Sequence, residues 1–218
     1  TKRAVKTNVH LGSPYSSRGK DQQGDPVRFV GSVGCRAMHG TEHGFVTAAH
    51  CLPKMGLSVC IGETDTNLGK VTSVKLNASS DAAFVAVDYD KYYPTNTTYR
   101  TKTALYDKIL KNSSLVGYEV STEGQKTANV VKAKVTEINK KVHVQKWTPA
   151  GQADFYANNM VYATFTSSQT QEGDSGGIVY VNGYVAGIHS ARLGNTTQIF
   201  SSAELVLKDL GLTNIWEK

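Results

Sequence analysis

Two short segments of the chain carry residues that together could transfer an acyl group. Residues 173–177 read Gly-Asp-Ser-Gly-Gly and hold Ser175 among glycines, whereas residues 47–51 read Thr-Ala-Ala-His-Cys and hold His50. A serine hydroxyl is a poor nucleophile at neutral pH until a neighbouring imidazole accepts its proton. The two segments therefore indicate a nucleophile, Ser175, and its base, His50.

The glycines around Ser175 predict a tight turn that exposes the hydroxyl. Such a turn can aim the backbone N–H groups of Gly173 and Ser175 at one point, where the oxyanion of a tetrahedral intermediate would be held. We expect Asp174 to have a structural role and to fix this loop.

A carboxylate that could orient the imidazole stands at the start of an apolar strand. Asp81 precedes the run Ala82–Val87, and burial there would let it hold one ring nitrogen of His50 and stabilise the imidazolium. The chain order is then His50, Asp81, Ser175. Three other acidic residues between the motifs lie in a polar turn or beyond the apolar run: Asp65, Asp88 and Asp90.

With these residues the sequence resembles the chymotrypsin-like serine proteases, and more closely their bacterial branch, which includes α-lytic protease, the streptogrisins and the glutamyl endopeptidases. The run Gly44–Cys51, the small serine loop and a short helical tail after Phe200 carry the resemblance, which spans about Val27 to Leu212. It implies an all-β fold of two antiparallel six-stranded β-barrels with a short C-terminal helix. It also implies a secreted serine endopeptidase that acts on polypeptide substrates.

In the trypsin branch of the family that this sequence resembles, activation of the protease depends on an Ile-Val-Gly-Gly element. This sequence lacks that element. Insertion of an N-terminal amine beside Asp174 is therefore not expected. A cleaved propeptide that assists folding, as in the bacterial branch, is the alternative.

Short apolar and alternating segments predict two sets of strands. The first set is 27–38, 43–49, 57–62, 70–76 and 82–89, and the second is 115–121, 129–138, 141–146, 160–166, 177–181 and 184–190. The proline-containing segment 91–99 predicts a linker, and a Ser cap, an apolar face and a terminal Gly predict a helix over 202–211. We expect an N-terminal barrel over residues 1–95 with His50 and Asp81, and a C-terminal barrel over residues 96–218 with Ser175 and the specificity pocket.

The segment Val185–Ala191 is similar to the substrate-pairing strand of the resembled fold. Its Gly-Ile-His element, ending at His189, is similar to that of glutamyl endopeptidases and of some viral proteases that accept Glu or Gln, and Thr170 matches a threonine in several of their pockets. We therefore predict a substrate pocket formed by Thr170, His189 and Ser190, and cleavage after Glu, with Gln or Asp weaker. In the alternative, His189 only packs and the pocket takes apolar or aromatic residues.

A second hypothesis is a catalytically inactive pseudoprotease that binds peptides. Loss of a triad residue would favour it, but all three residue types are present.

The three cysteines cannot all pair within the chain. The resemblance implies a disulfide between Cys35 and Cys51 beside His50, which leaves Cys60 as a buried free thiol.

The composition excludes several other classes of protein. The net charge is +6, but the basic residues alternate with apolar ones in segments such as 131–135 and 140–146, which predicts solvated strand faces and no nucleic-acid partner.

The segment His39–His43 matches a zinc-peptidase pattern, yet its glycines predict a hairpin turn, so we expect no metal and no cofactor.

The chain contains no apolar run of about 18 residues and no signal peptide, so we expect no membrane partner. We interpret the start, Thr1–Arg3, as a mature or trimmed end, and we expect a monomer.

Overall fold

The structure is a computed structural model that describes residues 4–214 and Trp216; the segment 1–3, interpreted above as a trimmed end, lies outside the described residues. The elements are β1 (Thr7–Leu11), β2 (Pro14–Lys20), β3 (Pro26–Ser32), β4 (Arg36–His39), β5 (Glu42–Thr47), β6 (Ser58–Ile61), β7 (Asn67–Val74), β8 (Ala83–Val87), β9 (Tyr92–Thr98), a 3₁₀ turn (Asn112–Ser114), β10 (Glu119–Glu123), β11 (Val131–Thr148), β12 (Gly151–Phe165), β13 (Ile178–Val181), β14 (Tyr184–Leu193), β15 (Thr197–Ser202) and α1 (Ala203–Leu210).

The first half of the chain forms a seven-stranded sheet in the order β3-β2-β6-β7-β8-β5-β4. Its inner strands bury most of their apolar side chains, which form a core that includes Phe45, Leu68 and Val85. The second half forms a closed barrel in the order β10-β11-β12-β15-β14-β13, whose core includes Val161 and Phe200.

The predicted all-β class, with two β-barrel domains and a C-terminal helix, is confirmed. The first sheet has seven strands instead of six, because the predicted strand 27–38 is interrupted at residues 33–35 and because the polar strand β2 was not predicted. The predicted linker 91–99 forms β9, which pairs with β1 in a separate parallel sheet. The expected domain boundary between residues 95 and 96 therefore falls inside a strand.

The longest element is the hairpin of β11 and β12, where the sequence predicted separate strands. The two strands have 18 and 15 residues, and bulges between Val135 and Val142 let them bend away from the barrel. Phe155 of β12 packs in the core of the first half. Trp147 donates its indole N–H to the carbonyl oxygen of Lys20 at 2.7 Å. The hairpin therefore joins both halves of the molecule.

The C-terminal helix α1 lies close to the predicted range. Gly211 ends it with φ 65°, the left-handed conformation that glycine adopts easily, whereas the hydroxyl of Ser202 at the N-cap position makes no capping bond. Asp209 accepts hydrogen bonds from both the N–H and the hydroxyl of Ser80, at 3.0 and 2.7 Å, so the helix is attached to the residue before Asp81. Among the described residues, no helix is long and apolar enough to cross a membrane.

The predicted disulfide between Cys35 and Cys51 is wrong, since all three cysteines are free thiols. Cys35 is buried in a cluster with Leu11 and Phe84, and burial raises the pKa of its thiol to about 12. Cys51 packs against a separate core, the one that includes Phe45, Leu68 and Val85. Its Sγ lies 4.0 Å from the carbonyl oxygen of Ser175. The two thiols therefore belong to different packing clusters. Cys60 is half-buried.

Candidate active site

The pairing of β5 with β8 brings the candidate base and carboxylate together. The two strands are antiparallel, and Thr47 at the end of β5 lies opposite Ala83 at the start of β8. His50 follows β5 and Asp81 precedes β8, so both residues emerge at the same end of the sheet. The His50 Nδ1–H donates to Asp81 Oδ2 at 2.5 Å, and the His50 backbone N–H donates to Oδ1 at 2.9 Å.

Asp81 is completely buried and fully hydrogen-bonded. Ser190 donates its hydroxyl to Oδ2 at 2.7 Å, and the Asp81 N–H donates to Ser201 Oγ at 3.0 Å. Burial alone would raise the pKa of Asp81, but the charge of His50 and the hydrogen bonds from His50 and Ser190 lower it overall. Burial likewise opposes protonation of His50, yet Asp81, with Cys51, raises the His50 pKa well above its ordinary value.

The buried carboxylate of Asp174 holds the loop of Ser175 in place. Asp174 accepts the backbone N–H groups of Gln171, Lys126 and Thr127 at 2.8 to 2.9 Å, and the hydroxyl of Thr127 as well. These four hydrogen bonds connect Asp174 to residues 126, 127 and 171, as expected for a residue that fixes the loop. Gly173 has φ 104°, a conformation that a residue with a Cβ adopts only with strain.

The loop leaves two amides free at its turn. Within residues 4–214 and Trp216, the backbone N–H groups of Gly173 and Ser175 donate to no protein acceptor, whereas the N–H of Asp174 is bonded to the carbonyl oxygen of Gln171. The Ser175 hydroxyl donates to the carbonyl oxygen of Ser190 at 3.0 Å. Transfer of its proton to His50 therefore requires the hydroxyl to turn toward the imidazole.

Two cavities meet at His50 and Ser175, and both residues line each of them. The first, of about 230 Å³, lies against the first half of the chain and is lined by Tyr15, Phe29 and Trp147 among others. The second, of about 350 Å³, is lined by all three predicted pocket residues, Thr170, His189 and Ser190, and by residues 142–146 of β11.

The predicted pocket residues differ in what their side chains contact. His189 is buried, and its Nδ1 accepts a hydrogen bond from Gln198 Nε2 at 3.1 Å. Burial lowers the pKa of His189 to about 4, with Asp174 opposing this shift, so the ring is neutral at pH 7. Thr170 is buried beside the cavity, whereas the Ser190 hydroxyl is bonded to Asp81 and is not available to a ligand.

Two basic residues at the second cavity were not identified from the sequence. Lys146 was assigned to a solvated strand face, but it lines both cavities, and its Nζ lies 2.8 Å from Glu172 Oε1. Arg192 donates to Gln169 Oε1 at 2.5 Å and to Asn195 Oδ1 at 3.2 Å, and both acceptors are neutral amides. Alternation along a strand predicts which face a lysine occupies, but it does not show that the strand bends back over a cleft.

The zinc-peptidase pattern at residues 39–43 forms a hairpin between β4 and β5. His39 opposes Glu42 across the turn, with 2.8 Å between Nδ1 and Oε1. In the part of the chain that the structure describes, no group of three or more His, Cys, Asp or Glu residues is arranged to hold a metal ion.

Comparison with known proteins agrees with this geometry. A family model described as Trypsin matches residues 13–202, which is most of the chain. This chain belongs to the trypsin family. Membership in this family of serine peptidases makes polypeptides the class of substrate, and the resemblance found in the sequence is confirmed. No curated protein sequence matches the chain.

Solved structures of bacterial proteases are similar to this trypsin-family chain in fold. A protein described as a glutamic acid specific serine protease that utilizes a novel histidine triad in substrate binding aligns with a TM-score of 0.70 at 22% identity, over 94% of this chain and 99% of that one. Protease A of Thermobifida fusca aligns at 0.69 with 19% identity, over 95% and 98%. Nocardiopsis protease aligns at 0.68 with 23% identity, over 95% and 98%.

Proposed function

We propose that this trypsin-family chain is a serine endopeptidase whose reaction is carried by Ser175, His50 and Asp81. The observation that carries the proposal is the buried His50–Asp81 pair, hydrogen-bonded at 2.5 and 2.9 Å, at a cleft that Ser175 shares. In the proposed mechanism, Ser175 attacks the scissile carbonyl, His50 takes its proton and returns it to the leaving amine, and Asp81 orients and stabilises the imidazolium.

The free amides of Gly173 and Ser175 support the next step of this mechanism. Two N–H groups at one turn can bind the oxyanion of the tetrahedral intermediate more strongly than the planar carbonyl of the substrate. Collapse of the intermediate leaves an acyl group on Ser175, and water then releases it with His50 as the base. The hydrogen bonds of Asp174 support the rigid loop that this geometry needs.

Covalent labelling tests the mechanism directly. A fluorophosphonate probe reacts only with a serine whose proton is removed by a nearby base, so we expect one label per chain, located on Ser175 by peptide mass mapping. The label should be lost in His50→Ala and kept in His39→Ala, which removes an imidazole from the β4–β5 hairpin. Equal labelling of all three proteins, or labelling elsewhere, would contradict the assignment.

We further propose cleavage after Glu, with Gln or Asp weaker. The second cavity is bordered by a buried imidazole, His189, and by the guanidinium of Arg192, whose partners are uncharged. A side-chain carboxylate that enters this cavity would find a hydrogen-bond donor and a positive charge. The similar fold of a protease described as specific for glutamic acid agrees with this choice. Equal turnover of Phe and Glu p-nitroanilide peptides would refute it.

Secretion and a monomeric state are parts of the same proposal, and so is a propeptide that is removed before activity. Detection of the protein in the culture medium of the source cells, at the mass of one chain by light scattering, tests the first two parts. A cell-retained or oligomeric protein would contradict them.

A further inference from the structure

The side-chain amide of Gln198 forms a buried link behind His189. Its Nε2 donates to His189 Nδ1 at 3.1 Å and to Thr122 Oγ1 at 2.7 Å. The three side chains are at most 2% exposed, so no water competes for these contacts at the surface. In this arrangement the Gln198 side-chain N–H groups donate to two acceptors, and leaving a buried donor unpaired is costly.

The three residues come from different strands of the closed barrel. Thr122 lies on β10, His189 on β14 and Gln198 on β15, and β10 is not a neighbour of β15 in the barrel order. The contact between Thr122 and Gln198 therefore crosses the barrel interior. A polar chain thus runs from the core of the second barrel to the wall of the substrate cavity.

We infer that Gln198, held by Thr122, is a positioning residue that fixes His189 as the neutral Nε2–H tautomer and so makes the substrate cavity a hydrogen-bond donor. This inference rests on the proposed specificity for Glu and deepens it. A neutral imidazole has one donor and one acceptor nitrogen, and the nitrogen that accepts from Gln198 cannot carry the proton. The proton is then on Nε2, where it can be donated to an oxygen of the substrate side chain.

The orientation of the Gln198 amide decides what the cavity recognises. As the amide stands, its Oε1 has no hydrogen-bond partner among the described residues. Turned by 180°, Oε1 would face Nδ1, and His189 would need to carry its proton there. The unprotonated Nε2 would then repel a carboxylate. Gln198 is therefore expected to determine specificity without contacting the substrate itself.

The tautomer of His189 can be measured without any enzymatic activity. We would label the six histidines with ¹⁵N in the full chain carrying Ser175→Ala, and assign the His189 signals by their loss in the additional variant His189→Gln. Two-bond ¹H–¹⁵N spectra at neutral pH distinguish the two neutral tautomers from the imidazolium. We expect the Nε2–H form. The Nδ1–H form or an imidazolium would overturn the inference, whatever the substrate specificity proves to be.

Kinetics with variants of the link test its effect on specificity. We expect Gln198→Leu, which keeps the volume but removes the donor, to lower kcat/KM for a Glu p-nitroanilide peptide about 10-fold more than for the matching Phe peptide, mainly through KM. Thr122→Val should shift the Glu-to-Phe ratio in the same direction by a smaller factor. The control Gln152→Leu alters an exposed glutamine of β12 and should leave the ratio unchanged.

The outcomes separate the inference from the proposed function. Equal losses for Glu and Phe peptides in Gln198→Leu would mean that Gln198 only supports the fold, and would overturn the inference. A wild-type protein without preference for Glu would instead refute the proposed specificity, and the NMR result would still decide the tautomer. If Gln198→Leu fails to fold, the inference is tested instead by the Glu-to-Phe ratio of Thr122→Val and by the His189 tautomer in the chain with an unaltered pocket.

Discussion

At the scale of single residues, the protonation of His50 depends on a carboxylate that has no contact with water. The raised pKa of His50 and the lowered pKa of Asp81 have the same cause, because each ionised partner stabilises the other in a buried pair. Protonated His50 therefore stabilises the folded chain below its unfolded pKa of about 6.5, and this contribution is lost as the pH rises through the folded pKa. Catalysis needs the neutral imidazole, so activity has the opposite dependence on pH.

We predict that kcat/KM rises with pH as His50 loses its proton, and that Asp81→Asn changes both the rate and this profile. Removal of the carboxylate should lower kcat about 10⁴-fold, the effect of the same change in a well-studied serine protease triad. It should also move the acidic limb to lower pH, since the partner that raises the His50 pKa is gone. Initial rates between pH 4 and pH 10 provide the measurement.

The matched control for this prediction is Asp65→Asn. Asp65 is exposed and forms ion pairs with Arg18 and Arg28, and its removal should leave the acidic limb unchanged. An Asp81→Asn protein with the wild-type acidic limb would show that Asp81 does not set the protonation of His50.

The sequence was sufficient to select the candidate triad, because each residue type stands in a local context that its chemistry requires. It was not sufficient for the partners of those residues. The Ser190 hydroxyl contacts Asp81 across 109 positions of sequence, and Gln198 reaches Thr122 across 76. The disulfide prediction failed for the same reason, since the sequence does not show that Cys35 and Cys51 pack in different clusters.

At the scale of elements, the β11–β12 hairpin connects the two halves of the site. Its alternating lysines predicted a strand with a solvated face, and much of β11 does alternate in this way. The alternating lysines do not reveal the bulges that bend the hairpin toward the first half of the chain. As a result, Val144 and Phe155 pack against a core that belongs to strands more than 50 residues earlier in the chain.

We predict that Phe155→Ala lowers the free energy of unfolding by about 3–5 kcal/mol, because the ring is 2% exposed and its loss leaves a cavity in the first core. Urea denaturation followed by fluorescence measures the change. The control is Tyr156→Ala, the adjacent exposed residue on the opposite face of β12, for which we expect less than about 1 kcal/mol. Similar losses for the two variants would contradict the packing of the hairpin in the first core.

At the scale of the whole molecule, the candidate site lies where the two β-barrel domains meet, and neither half contains it alone. His50 and Asp81 come from the first sheet, whereas Ser175, His189 and Arg192 come from the second barrel and its loops. Family and fold class could be predicted because two motifs and two sets of short strands are local features. The cavity walls could not, because they depend on how far each half reaches over the other.

The most direct test of the account is to incubate the protein with a peptide library and to sequence the cut sites, with Ser175→Ala as the control. The account predicts cuts after Glu, with fewer after Gln or Asp, that are absent from the control. Cuts after apolar residues would contradict the proposed roles of His189 and Arg192. No cutting by the wild-type protein, or equal cutting by both proteins, would contradict the central claim that Ser175 is the nucleophile of an active endopeptidase.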